Sequence, residues 1–213
     1  MDSKEMLKTG TTTVAIKCKD AIILAADKRA TAGHLIADKN AKKVHIINDN
    51  MALTIAGSVS DTQLLIKLLK AELKLKDFRV GRATSVKEAA NLLSGMVYGN
   101  IRKMSVMPGV SHFLFAGRDT QGITLYDIFP DGSLTPITDF VSSGSGSVFA
   151  YGVLETLYKE NMSTEEGMDL AVKSVNAALQ RDSASGNGIV MVKITADGVE
   201  EIMSKDVIIN LND

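Results

Sequence analysis

Near the start of the 213-residue chain, Gly10 is followed by three threonines, Thr11, Thr12 and Thr13. A threonine hydroxyl is a weak nucleophile until a base accepts its proton. Cutting the chain between Gly10 and Thr11 would put the Thr11 hydroxyl beside a free α-amine, whose unperturbed pKa is roughly 7.7–8.0. Nucleophile and base would then share one residue. Taken alone, the run reads more simply as the opening of a strand, because β-branched threonine suits a pleated surface.

Other chemistries find little support. The sequence has no Walker phosphate loop, no His-Glu-x-x-His and no Cys-x-x-Cys, and His34, His45 and His112 are scattered, so neither a metal nor a cofactor is expected. A formal net charge of −1 gives no electrostatic footprint for nucleic acid or an anionic membrane. Cys18 is the single cysteine and reads as a small apolar strand residue, which fits a reducing cytoplasm. The first ten residues hold no apolar run of signal-peptide length, and no later segment approaches the roughly 20 apolar residues of a membrane helix. A soluble, cytoplasmic protein is expected.

The elements that must position Thr11 follow from periodicity. In TTTVAIKCK, Thr12, Val14, Ile16 and Cys18 alternate with Thr11, Thr13, Ala15 and Lys17, as in a strand. AIILAADKRA, KKVHII and MALTIAG read as three more strands, the last two joined by a tight Asn48-Asp49-Asn50 turn tolerant of left-handed backbone. Four strands thus precede any helix. From Ser60, Leu64, Leu65, Leu68, Leu69 and Leu73 form a helical stripe, and Ser85 with Glu88 has the capping-box spacing of a second helix. Strands resume at SHFLFAGRD and GITLYDIF, with a PDGS turn leading to a further extended run. Helices return in VFAYGVLETLYKE and, behind a second capping box at Ser163 and Glu166, in GMDLAVKSVNAALQR. The chain closes on a hairpin about Asp197-Gly198, with a type I′ turn expected. Strands and helices come in blocks and do not alternate, so two antiparallel sheets covered by helix pairs are expected within one domain.

Six separated segments carry a further signal: GTTTVAIK at Gly10, AADKRAT at Ala25, KNAKKVHII at Lys39, IAGSVSD at Ile55, SSGSGS at Ser142 and QRDSASG at Gln180. In order and approximate spacing, over almost the whole chain, they resemble the proteasome β-subunit family, and its archaeal members most closely. That resemblance implies an α+β N-terminal-nucleophile hydrolase fold, a four-layer αββα sandwich. It also implies a propeptide, residues 1–10, removed by autolysis at Gly10–Thr11, leaving residues 11–213 as the hydrolase domain.

Transferred onto this sequence, the family's motifs make Thr11 the nucleophile, Lys43 the lysine beside it and Asp27 the carboxylate that pairs with Lys43, while Ser145, Asp182 and Ser185 support them. An ammonium near the hydroxyl favours the alkoxide-like state and biases the α-amine towards its neutral form. Gly57 matches the oxyanion-hole position, where a backbone N–H stabilises developing charge. Thr31 and Gly57 would pair with the substrate backbone. Ala30, Ala41, His45, Ile55 and Val59 map to the primary side-chain pocket, which has no acidic group and so implies cleavage after hydrophobic residues. His45 is the least comfortable member, since a charged imidazole would broaden selection. Without the other segments, Lys43 reads as a solvated lysine like Lys42, and Asp27 and Asp182 as turn or surface carboxylates.

The implied partners are polypeptide substrates, homo- or hetero-heptameric β rings stacked on α-subunit rings, and an ATP-dependent unfoldase. An HslV-type threonine peptidase is a related alternative, against which QRDSASG and the ten-residue leader count. A catalytically silent ring-assembly subunit is another, disfavoured because Thr11, Asp27 and Lys43 are all present.

Overall fold

A computed structural model of the chain describes residues 10–206. All of the expected leader but Gly10 lies outside the described residues. Ahead of the first helix come six strands: β1 (Thr13–Lys17), β2 (Ala21–Asp27), β3 (Ala30–Ala32), β4 (Leu35–Asp38), β5 (Val44–Asn48) and β6 (Met51–Gly57). The two beyond the expected four, β3 and β4, form a small separate antiparallel hairpin. β4 is exposed along its length, so no alternation of buried and solvated positions marked it.

Helices α1 (Val59–Val80) and α2 (Val86–Ile101) follow, then β7 (Ser111–Asp119), β8 (Gly122–Ile128), β9 (Leu134–Ile137) and β10 (Phe140–Ser143). The chain ends with α3 (Ser147–Leu157), α4 (Thr164–Arg181), β11 (Gly188–Thr195) and β12 (Gly198–Asp206). Both expected capping boxes are present, Ser85 with Glu88 on α2 and Ser163 with Glu166 on α4.

One sheet has the strand order β10-β1-β2-β11-β12 and the other β5-β6-β7-β8-β9, with every pairing antiparallel. Val14, Ile16, Ile23 and Met191 pack the first sheet against Leu154, Leu170 and Val175 of α3 and α4. Leu53, Phe113, Phe115 and Ile128 pack the second against Leu65, Leu69 and Leu93 of α1 and α2. Ala15, Leu24, Ala52, Leu114 and Val192 fill the space between the sheets. Strand residues of alternate parity therefore enter different cores, which gives the αββα layering. No described helix is long and apolar enough to cross a membrane.

Three local expectations change. The buried stripe of α1 runs through Thr62, Leu65, Ile66, Leu69 and Leu73, whereas Leu64 and Leu68 are nearly half exposed. A helix shows one side to a sheet, and adjacent leucines straddle its edge. The Asn48–Asn50 turn uses no positive φ; the Asn48 side chain accepts from the Asn50 N–H at 2.9 Å instead. The last hairpin pairs Thr195 with Gly198, so its loop is Ala196-Asp197; among these residues only Gly198 has positive φ, and the turn is not type I′. Cys18 lies one residue beyond β1, buried, and burial pushes its thiol up to about 11, with Glu165 and Glu166 adding to the shift.

Leu69→Ala should destabilise the isolated chain by about 2–5 kcal/mol in denaturant unfolding, and Leu68→Ala by less than about 1 kcal/mol. Equal losses would contradict the assigned face of α1.

Candidate active site

β1 and β2 pair antiparallel with Thr13 opposite Ala26, which brings the chain just before β1 beside the end of β2. There Asp27, fully buried, is ringed by donors. Its Oδ1 accepts from the Thr12 N–H at 2.9 Å and from Lys43 Nζ at 2.7 Å; its Oδ2 accepts from the N–H groups of Arg29 at 3.1 Å and Gly186 at 2.9 Å. One carboxylate thus ties together the threonine segment before β1, the lysine and the loop after α4.

Lys43 enters from the segment before β5, which the Ile55 N–H holds through the Lys43 carbonyl at 2.9 Å. It is 4 % exposed while Lys42 is solvated, so the two neighbouring lysines point oppositely. Burial pushes the Lys43 ammonium below its ordinary range, against an upward pull from Asp27. Its second contact, at 3.1 Å, is the carbonyl oxygen of Gly10. Thr11 Oγ1 donates to that same oxygen at 2.7 Å.

The surroundings of the Gly10–Thr11 peptide fit it closely. The Gly10 N–H donates to Thr31 Oγ1 at 2.9 Å. A Cβ on Gly10 would fall 1.8 Å from the Ala184 side chain, so only glycine fits below the 182–186 loop. On the other side, the Thr11 N–H donates to Ser145 Oγ at 3.2 Å, and Ser145 Oγ donates to Asp182 Oδ2 at 2.7 Å. Ser185 Oγ donates to the same Asp182 oxygen at 2.7 Å. A polar path therefore runs from the Thr11 nitrogen through a hydroxyl to a carboxylate.

Thr11, Asp27, Lys43, Ser145, Asp182 and Ser185 are thus joined by hydrogen bonds either directly or through Gly10 and Thr12. Gly57 ends β6 opposite Ser111 with φ +108°, and a Cβ there would meet the Val110 carbonyl oxygen at 2.3 Å. Both facts demand glycine. Of the expected substrate-binding residues, Thr31 touches Gly10, while the backbone N–H groups of Ala41 and Ile55 hold the Lys43 segment through the carbonyls of Lys28 and Lys43. Ala30 is half-buried on β3, and Val59 is exposed at the start of α1. His45 is half-buried, bonded through Nε2 to the Lys42 carbonyl at 2.9 Å, and burial pushes it down to about 4.

Two participants were not legible as such. Arg29 donates from Nε to Asn187 Oδ1 at 2.8 Å and from a terminal nitrogen to the Ser183 carbonyl at 2.9 Å, clasping the loop that carries Asp182 and Ser185. Thr12 is more than a strand residue, since its Oγ1 lies 2.6 Å from Ser185 Oγ. The AADKRAT segment contains Arg29, but nothing local links it to a loop more than 150 residues later.

Asp27→Asn would leave Lys43 buried without its counter-charge, which should cost about 3–5 kcal/mol at neutral pH. Losing Asp27's upward pull lowers the folded-state Lys43 value further, so over a wider pH range the unfolded chain binds the extra proton. Stability then rises with pH, and the deficit relative to wild type should be smaller at pH 9 than at pH 7 in urea unfolding.

The family model described as "Proteasome subunit" matches residues 7–194. A "Proteasome subunit beta" of Methanocaldococcus vulcanius is 43% identical over 93% of this chain and 87% of its own. Proteins of the same name from Methanococcus maripaludis (92% and 88%) and Methanohalophilus mahii (97% and 96%) are also 43% identical. With an αββα sandwich closing around a buried Thr11–Lys43–Asp27 cluster and matches of this length, the chain belongs to the proteasome β-subunit family.

Proposed function

We propose that this β subunit is a threonine-type endopeptidase with Thr11 as nucleophile, activated by removal of residues 1–10. The observation that carries the reading is the pair of contacts on Gly10: Thr11 Oγ1 and Lys43 Nζ both reach its carbonyl oxygen, at 2.7 and 3.1 Å. Lys43 polarises the carbonyl while the hydroxyl stands next to it. Attack of Oγ1 on the Gly10 carbonyl carbon, with loss of the hydroxyl proton, closes a five-membered ring, and breaking the C–N bond as that proton passes to the nitrogen moves the acyl group from nitrogen to oxygen. Water then hydrolyses this ester, releasing a leader that ends in the Gly10 carboxylate and leaving Thr11 with a free α-amine.

In the processed chain that amine accepts the Oγ1 proton, directly or through water, as Oγ1 attacks a substrate carbonyl. The Gly57 N–H supports the oxyanion, the departing amine takes a proton, and a second water hydrolyses the acyl-threonine. Ser145, held by Asp182, orients the nitrogen. Before cleavage the same nitrogen is an amide with no useful basicity, so processing acts as the switch. Unfolded polypeptides are the substrates, cut after hydrophobic residues by a pocket that includes Ala30, Ala41, His45, Ile55 and Val59. Membership of the family supports heptameric β rings stacked on α rings, fed in the cytoplasm by an ATP-dependent unfoldase.

In assembled particles, mass analysis should find Thr11 at the N-terminus of wild type and residues 1–10 retained in Thr11→Ala, which should show no turnover of a hydrophobic peptide. Turnover by Thr11→Ala would overturn the mechanism. Because burial keeps His45 neutral until the pH falls towards about 4, the ratio of kcat/KM for peptides with phenylalanine and with glutamate before the cut should not follow a His45 titration between pH 6 and 8.

A further inference from the structure

The space between the sheets is apolar over most of its extent, but at the end next to Thr11 it becomes polar. His112 on β7, Asp127 on β8 and Ser143 on β10 share the strand parity of Leu114, Leu125 and Val141, which line the inter-sheet core. His112 Nε2 lies 2.6 Å from Asp127 Oδ1, and His112 Nδ1 lies 2.7 Å from Ser143 Oγ. With Nε2–H donating to the carboxylate, a neutral ring presents Nδ1 as acceptor for the Ser143 hydroxyl. The Phe129 ring covers the imidazole at 4.7 Å between centroids.

Serine, histidine and carboxylate in series suggest a second hydrolytic centre, but Ser143 is 3 % exposed and paired into the sheet opposite Thr13. No substrate carbonyl can approach its Oγ. What Ser143 does control is its successors. Gly144, at φ +94°, sits so close that a Cβ would fall 2.1 Å from the Thr11 carbonyl oxygen. Ser145 Oγ receives the Thr11 N–H, and the Gly146 N–H donates to the Thr11 carbonyl at 3.2 Å. The other end of the clamp is equally near the site, because His112 pairs with Ala56 and Ser111 with Gly57.

We propose that His112 is a positioning residue for the peptidase reaction. Braced by Asp127, it holds Ser143, and so fixes the 143–146 turn and the Thr11 nitrogen it orients relative to the β6 edge that carries Gly57. The clamp joins the two sheets at the point where one supplies the nucleophile and the other the oxyanion donor. The inference rests on the reading of Thr11 as nucleophile.

The test uses assembled, processed particles, with rates expressed per processed Thr11 as counted by N-terminal mass. Ser143→Ala, His112→Asn and Asp127→Ala should each lower kcat about tenfold, within the ~10²-fold that a misplacement of about 1 Å costs, while KM and the melting temperature of the particle stay near wild type. Asp127→Asn, whose amide oxygen still accepts from Nε2, should keep most of kcat. Combining Ser143→Ala with His112→Asn should lose no more than the worse single change, as for two members of one path. Wild-type kcat in Ser143→Ala, losses confined to KM, or additive losses in the double variant would overturn the clamp. Three variants probe the same arm, so failure of one to assemble leaves the other two to decide. An active Thr11→Ala would instead overturn the reading of the site itself, whereas an inactive Thr11→Ala beside a fully active Ser143→Ala rejects only the clamp.

Discussion

The contact between Asp27 and Lys43, 2.7 Å long with both side chains nearly inaccessible, organises the rest of this structure. Two isolated charges at that depth would cost more in lost hydration than their attraction returns. Here Asp27 also accepts three backbone N–H groups, and Lys43 also donates to a carbonyl, so the pair is embedded in hydrogen bonds. Those partners come from the segment before β1, from the turn after β2 and from the loop after α4. A buried charge pair that needs so many donors specifies how these segments meet, because any other arrangement leaves a carboxylate or an ammonium unsatisfied.

The layering places that pair where chemistry can use it. Each sheet buries one face against its helices and the other against its partner sheet, and the shared interior is apolar through Ala15, Leu24, Leu114 and Val192. At one end this apolar filling gives way to Thr13, Ser143, His112 and Asp127, beside Thr11. Rigid strands thus carry groups from both sheets to a single place beside Thr11. Glycines complete the fit where backbones press together, Gly10 under Ala184 and Gly144 on the Thr11 carbonyl.

In the proposed mechanism the same cluster has two successive tasks. Lys43 and the Thr11 hydroxyl converge on the chain's own carbonyl first, and the position Gly10 vacates is the one a substrate carbonyl then enters. The Ser145–Asp182 path meets the nitrogen whose character changes from amide to amine between the two. In that mechanism one arrangement serves both maturation and turnover.

Much of this was legible in the sequence because local periodicity reports what is local. The capping boxes at Ser85 and Ser163, the four helices and the strand-helix block order depend on neighbours within a few residues, and motif order pointed to Thr11, Asp27, Lys43, Ser145, Asp182 and Ser185. Exposed β4 carries no alternating pattern, and Leu64 and Leu68 look as apolar as Leu65 and Leu69, so those details waited on which face of the chain met a sheet. Arg29, Thr12 and His112 acquire their roles from groups that lie between 15 and 173 residues away along the chain. Periodicity and element order by themselves determined that the threonine run opens a strand of one of two helix-covered antiparallel sheets, and the hydrolase reading came from the resemblance of the separated motifs to a family. Only the tertiary structure decided which hydroxyl, ammonium and imidazole face one another, because a buried polar contact is set by the packing of whole strands and not by the residues beside it in sequence.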